Sequence, residues 1–261
     1  MAARKTPRGD PGPFDLPGRP GGTDAVLLLH GLTGTPFEVR PVADRLARNG
    51  VRCLAPVLAG HESPEALART SWLDWVGGAR DALASLGETR RTLVVGSSMG
   101  ALVACTLAAE NPGRVDGVAL LAPALELQPL GKLAGWLARN TPVAGYVPQI
   151  PKGGGSDVAD PQARAANPCM ETIPFRAVGE LLAFQAHVDA LLPRVRCPAL
   201  VVAGALDGTV TVAGARRMAG RLGGGARFVV LPRSRHLVAI DFERERVAAD
   251  VASFLESIPR R

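Results

Sequence analysis

The chain has 261 residues, 47% of them hydrophobic and 21% charged, which suits a globular protein with one large core. Its net charge of +6 comes from 30 basic and 24 acidic residues, with the arginines standing singly or in pairs and only eight Tyr and Phe residues in all. A nucleic-acid surface needs a basic stripe with stacking aromatics, so this pattern argues against one.

The cysteines Cys53, Cys105, Cys169 and Cys197 are far apart and form no C-x-x-C pair, which argues against a zinc site or a redox motif. Three of them lie in or beside apolar runs, as small buried hydrophobes do. The expectation is a reduced, cytoplasmic protein with no metal. The basic N-terminus lacks the apolar stretch of a secretory signal. Its Pro and Gly content predicts a flexible tail over residues 1–22. The longest uncharged stretch, Thr92 to Ala109, is interrupted by Gly96, Ser97, Ser98 and Gly100, so it reads as strand-turn-helix rather than as a membrane span.

In chain order, Ala25–Leu29 is a short continuous apolar run, the mark of a buried parallel strand. Pro36 opens a helical pattern that Asn49-Gly50 closes. Val51–Ala55 is a second strand. Trp72, Trp75, Val76, Ala79, Leu83 and Leu86 follow helical spacing up to Gly87. Strand Thr92–Val95, helix Met99–Glu110 and strand Val118–Leu121 come next. Alternation of this kind predicts an α/β fold around a mostly parallel sheet flanked by helices.

The rhythm breaks from Pro123 to about Phe175, where no strand-like run is found. A stretch of this length inside a compact domain reads as an inserted cap. A helix near Phe175–Leu192 leads back. Strand Ala199–Ala203, helix Thr211–Leu222, strand Arg227–Leu231 and a last helix through Val247, Val251, Phe254, Leu255 and Ile258 complete the pattern. The expected division is a tail over 1–22, a core over 23–122 and 195–261, and a cap with its return helix over 123–194.

Gly96-Ser97-Ser98-Met99-Gly100 fits G-x-S-x-G, with a strand before it and a helix after it. A sharp turn there lifts a serine hydroxyl out of the sheet, and the flanking glycines permit the tight backbone. The alternative is a glycine-rich turn without function. With this motif the chain resembles the α/β-hydrolase superfamily, whose nucleophile, acid and base follow in the order Ser, Asp or Glu, His. The resemblance implies Ser98 as nucleophile. It sets aside His30 and His61, which precede Ser98, and leaves His187 and His236. His187 reads as a solvated helical histidine, whereas His236 follows the last strand, where the superfamily places its base. Asp207 follows the strand Ala199–Ala203 and is the implied acid, against the alternative of an Asp-Gly turn. Asp241, beyond His236, reads as a helix cap. The implied oxyanion donors are the backbone N–H groups of Leu32, in His30-Gly31-Leu32-Thr33-Gly34, and of Met99; His30 is expected to support that loop.

These segments, with Pro56–His61, Ser71–Val76 and the run from Ser234 to Val247, look like bacterial carboxylesterases and monoacylglycerol lipases. That likeness implies a serine hydrolase cleaving short-to-medium acyl esters or monoacylglycerol, with no cofactor, a small ester or lipid as its partner, no nucleic acid and no membrane segment; it leaves the oligomeric state open. An aminopeptidase, a C–C hydrolase, a haloperoxidase or a non-catalytic sensor on the same fold are the alternatives. Glu126, Asp157, Asp160 and Glu171 are the cap acids that an aminopeptidase could turn toward a substrate amine. Leu130, Leu133, Trp136, Leu137, Tyr146 and Ile150 are candidates to cover an acyl chain, against ordinary packing of the cap on the core.

Overall fold

Short apolar runs become strands buried on both faces, and the amphipathic stretches between them become helices. The computed structural model describes residues 8–153 and 155–260. In chain order it has β1 (Phe14–Leu16), β2 (Asp24–Leu29), a 3-10 turn (Pro36–Val39), α1 (Arg40–Arg48), β3 (Arg52–Ala55), α2 (Pro64–Leu67), α3 (Trp72–Ser85), β4 (Arg91–Ser97), α4 (Met99–Glu110) and β5 (Gly117–Leu121). The intervening stretch holds α5 (Pro129–Asn140), α6 (Val143–Tyr146), β6 (Gln149–Pro151), α7 (Pro161–Ala166), β7 (Thr172–Pro174) and α8 (Phe175–Leu191). Then follow β8 (Ala199–Gly204), α9 (Val212–Arg221), β9 (Ala226–Leu231) and α10 (Arg244–Ser257).

The main sheet runs β1-β3-β2-β4-β5-β8-β9, with β1 antiparallel and the rest parallel. After β2 the chain steps outward to β3, then jumps back over β2 to β4 and continues the other way. This reversal opens a crevice at the carboxyl ends of β2 and β4, the place where open α/β sheets build their sites. Right-handed crossovers put helices of opposite stepping direction on opposite faces. Accordingly α1 and α10 pack together, and α3, α4 and α8 pack together. Residues Met99 to Ala109 of α4 are all buried, so this helix is apolar all round.

Two expectations are corrected. The stretch before residue 23 is not a free tail: Phe14, Asp15 and Leu16 pair with Ala55, Leu54 and Cys53 of β3, and the Gly9 N–H donates to the Ala166 carbonyl. Pro13 and Pro17 bracket this edge strand, a position where proline's missing N–H costs little. Residues 1–7 of the expected tail lie outside the described residues. The stretch between β5 and β8 adds nothing to the main sheet, yet β6 and β7 form a small antiparallel ladder within it. Strands of three residues are too short to leave a periodic signal.

At the opposite end of the sheet from the crevice, Arg91 is buried. Its guanidinium grips Asp24 and donates to the carbonyls of Leu255 and Ile258, tying β2, β4 and the end of α10 together. Arg260 also reaches Asp24, at 3.5 Å, so losing Arg91 leaves that carboxylate partly paired and the two carbonyls unpaired, at about 1–3 kcal/mol. Arg91→Met is expected to lower unfolding free energy by about that amount in urea titration.

Candidate active site

The turn between β4 and α4 puts Ser98 at φ +54° and ψ −114°, a left-handed conformation that costs a serine energy. Close packing holds it there. A Cβ on Gly96 would overlap the Gly100 carbonyl, and a Cβ on Gly100 would overlap the carbonyls of Leu29 and His30. The Ser98 N–H donates to Leu121 O at 2.8 Å, and its carbonyl accepts from Ala101 and Ala124. The backbone is clamped from both neighbouring strands while the hydroxyl faces the crevice.

His236 follows β9 and Asp207 follows β8. The Asp207 carboxylate only accepts hydrogen bonds, so the His236 Nδ1–H donates to its Oδ2, at 2.9 Å. Nε2 is then the free lone pair, and the Ser98 hydroxyl donates to it at 2.9 Å. The other Asp207 oxygen accepts from the N–H groups of Thr209 and Val210, both at 2.8 Å. The side chains of His236 and Asp207 are 8% and 2% exposed. Burial pushes the Asp207 carboxyl up, but the His236 charge, its hydrogen bond and the Val210 and Thr209 N–H groups prevail and hold it below its ordinary value. Burial pulls His236 down. The Asp207 charge and hydrogen bond, with the Asp157 and Glu38 carboxyls behind them, more than reverse that and raise it. A buried imidazole with a raised proton affinity beside a serine hydroxyl can act as a general base.

The loop after β2 lies against Ser98: a Cβ on Gly31 would stand 3.1 Å from the Ser98 Cβ. His30 accepts the Leu58 N–H at Nε2, so its Nδ1–H donates to the Gly31 carbonyl, at 2.9 Å. That carbonyl belongs to the Gly31–Leu32 peptide. In a trans peptide the C=O and N–H point opposite ways, so pinning one aims the other. His30 thus orients the Leu32 N–H, and the Leu32 carbonyl is in turn held by the Thr33 hydroxyl at 2.5 Å. Met99 opens α4, where the first N–H groups have no intrahelical acceptor.

Residues 22–243 match the family described as serine aminopeptidase, S33. The chain belongs to that family. Its fold is the α/β-hydrolase fold. Over 229 residues it is 28% identical to the thermostable monoacylglycerol lipase of Bacillus sp. (strain H-257), covering 87% of this chain and 88% of that one. It also matches a solved structure from work on the metagenome-derived lipolytic enzymes LipS and LipT, with a TM-score of 0.84 and 25% identity over 96% of this chain and 99% of the other. The monoacylglycerol lipase of Paleococcus ferrophilus follows the same fold, with a TM-score of 0.75 and 19% identity over 94% and 98% of the two chains.

Several sequence expectations change around this family site. His187 is not simply solvated; its ring packs against Trp72 with centroids 4.6 Å apart. Asp241 is not a helix cap, since Glu243 occupies that position on α10. Its fully buried carboxylate instead accepts N–H groups from Ala159, Asp160, Arg235 and Phe242. Leu130, Leu133, Trp136 and Tyr146 are each more than half exposed, with Tyr146 at 83%, so they are not part of the buried core.

Nothing in the sequence marks Glu38, a single charge in a short turn. It is buried, and it accepts the Gly31 N–H at 3.1 Å from the far side of the oxyanion loop. Burial pushes its carboxyl up, against the Gly31 hydrogen bond and the nearby Lys152, His236 and Asn167. Glu38→Gln keeps an acceptor and is expected to retain kcat/KM within about threefold. Glu38→Ala leaves a buried N–H unpaired, worth about 1–3 kcal/mol, and is expected to lower kcat/KM by about tenfold or more.

His30 and His61 form a buried pair, with ring centroids 4.8 Å apart. Burial pushes them down to about 3 and about 4. The unfolded chain takes up these protons near the ordinary value of about 6.5, so the stability that the neutral rings contribute is present above that pH and declines as pH falls toward 4. His61→Gln is expected to flatten the dependence of Tm on pH between about 6.5 and 4, relative to wild type.

Proposed function

We propose that the protein is a serine hydrolase that cleaves short-to-medium acyl esters or monoacylglycerols through an acyl-enzyme on Ser98. The hydrogen-bond succession from Asp207 through His236 to Ser98 carries this reading. As the Ser98 Oγ attacks the ester carbonyl carbon, His236 Nε2 takes its proton. The carbonyl oxygen becomes an oxyanion, held by the Leu32 and Met99 N–H groups; one such donor is worth about 3 kcal/mol in the transition state. Collapse breaks the bond to the alcohol oxygen, which leaves with the His236 proton. Water then gives its proton to Nε2 and attacks the acyl carbon. The Ser98 Oγ departs, regains that proton, and the carboxylic acid is released. Side chains, main-chain N–H groups and water account for every proton and electron pair.

The cap acids favour esters over peptides with a free amine. An aminopeptidase needs a carboxylate to face the substrate ammonium. Glu126 is paired with Lys132 and Arg217, Asp157 with Arg235, Asp160 with Arg244, and Glu171 with Arg8. Each already has a cation, so none of the four is left for an amine. No helix among the described residues is long and apolar enough to cross a membrane, and the cysteines are free. We place the protein in the cytoplasm, acting on dispersed or membrane-derived esters.

Ser98→Ala is expected to abolish p-nitrophenyl butyrate and monoacylglycerol cleavage and labelling by a fluorophosphonate. Asp207→Asn is expected to lower kcat by about 10⁴. The base must be neutral, so kcat/KM should fall as pH drops through the raised His236 value, with the acid limb above about 6.5 in wild type and lower in Asp207→Asn. Equal activity of Ser98→Ala and wild type would remove the acyl-enzyme.

A further inference from the structure

Asp207 and His236 sit on separate loops, and their bond works only if the two loops stay in register. On the strand side the loops meet directly. The Ala205 N–H donates to the Leu231 carbonyl, and the Leu206 N–H to the Ser234 carbonyl. Gly204 lies so close to the carbonyls of Ser234 and Arg235 that a Cβ there would overlap them. Past the Asp207–His236 bond, a third segment intervenes. Asp157, from the stretch between β6 and α7, reaches both loops.

Its carboxylate Oδ2 accepts the Gly208 N–H at 2.8 Å and the Thr209 hydroxyl at 3.1 Å. Oδ1 accepts from the Arg235 guanidinium at 3.1 Å. The Asp157 carbonyl accepts the His236 N–H at 3.1 Å and the Leu237 N–H at 3.2 Å. One residue therefore bonds to both residues after the acid, to the base itself, and to the residues on either side of the base.

Asp157 is itself anchored. The next residue, Val158, is fully buried against Leu237 and Ile240. The N–H groups of Ala159 and Asp160 are held by the Asp241 carboxylate, which also takes the Arg235 N–H. Residues 156–160 and 234–241 are thereby stitched into one unit.

We propose that Asp157 is a positioning residue: it straps the loop carrying Asp207 to the loop carrying His236, so that the geometry of the pair depends on the inserted segment. This rests on the acyl-transfer reading above. The strap adds charge as well as geometry. The groups facing His236 are Asp207 from the loop after β8, Asp157 from the inserted stretch, Glu38 from the turn after β2 and Ser98 from the turn after β4, with Arg235 beside it on its own loop. Asp157 and Asp207 both favour the imidazolium, so neutralising Asp157 makes His236 give up its proton more readily.

The test is steady-state hydrolysis of p-nitrophenyl butyrate across pH, with thermal melts, for wild type, Asp157→Asn, Asp157→Ala, Thr209→Val and Ser98→Ala. A misplacement of about 1 Å costs up to about 100-fold, so Asp157→Ala is expected to lose about ten- to a hundred-fold in kcat with KM within about threefold. Asp157→Asn keeps an acceptor without the charge. It is expected to lose less, and its acid limb of kcat/KM moves to lower pH, a shift that loosened packing alone does not produce. Thr209→Val removes one donor and is expected to lower kcat by about two- to fivefold with its acid limb unmoved. If Asp157→Ala does not fold, Asp157→Asn and Thr209→Val decide. Folded Asp157 variants with wild-type kcat and an unmoved acid limb overturn the strap. Activity in Ser98→Ala overturns the underlying reading instead.

Discussion

Ser98 is held at a positive φ by packing rather than by its own preference, and the site is arranged around that strained residue. A serine in that region gives up about 1–3 kcal/mol, which persists only where neighbours over-determine the backbone. Here the neighbours are two glycines with no room for a Cβ and a carbonyl from each flanking strand turn. The same close approach brings the loop after β2 against the serine. The strained Ser98 turn and the placing of the Leu32 loop are thus two consequences of one crossing of backbones at the switch point between β2 and β4. A larger residue at position 100 would push the two apart, and one at position 96 would open the Ser98 turn itself.

Around this crossing the protein buries polar groups, and each is given a partner that sets its charge. His30 and His61 are held low because burial removes water from the charged form, and this outweighs the carbonyls that face their Nδ1 atoms. Glu38 is pushed the same way, toward its neutral acid. His236 is treated oppositely: equally buried, it faces carboxylates, and their field outweighs desolvation. The contrast separates the histidine suited to carry a proton from those that hold backbone in place.

What the sequence made legible follows from how local each signal is. Ser98 announces itself because strand, glycine turn and helix are contiguous. His236 and Asp207 emerge from chain order and strand ends, which survive without knowledge of contacts. The strand β1 was hidden because Pro and Gly around Phe14–Leu16 read as disorder, while its pairing with β3 is a contact across 37 positions, from Asp15 to the Arg52 side chain. The sequence left Glu38 unmarked, gave Asp157 only as a cap acid and Asp241 as a helix cap, for one reason. A lone acid outside a helical or strand period looks solvated, and only tertiary structure shows that its oxygens are filled by N–H groups from distant loops.

Asp157 and Asp241 change what the insertion is. A cap that merely covered a crevice would touch the core through apolar side chains and be free to vary or to lift. Residues 156–160 instead bond main chain to main chain with the loop that bears His236, and bury Val158 beside it. The part of the insertion outside this unit includes α5, α6 and the β6–β7 ladder, and Leu130, Leu133, Trp136 and Tyr146 on its two helices are exposed. The division that matters lies within the inserted stretch rather than at its ends. One portion is continuous with the loops that carry Asp207 and His236 and is constrained by their geometry. The other packs α5 on α8, where Gly135 meets Leu182 and Gly179 meets Ala138, and sets β7 against α2; it makes none of the side-chain hydrogen bonds by which Asp157 joins the loops of Asp207 and His236.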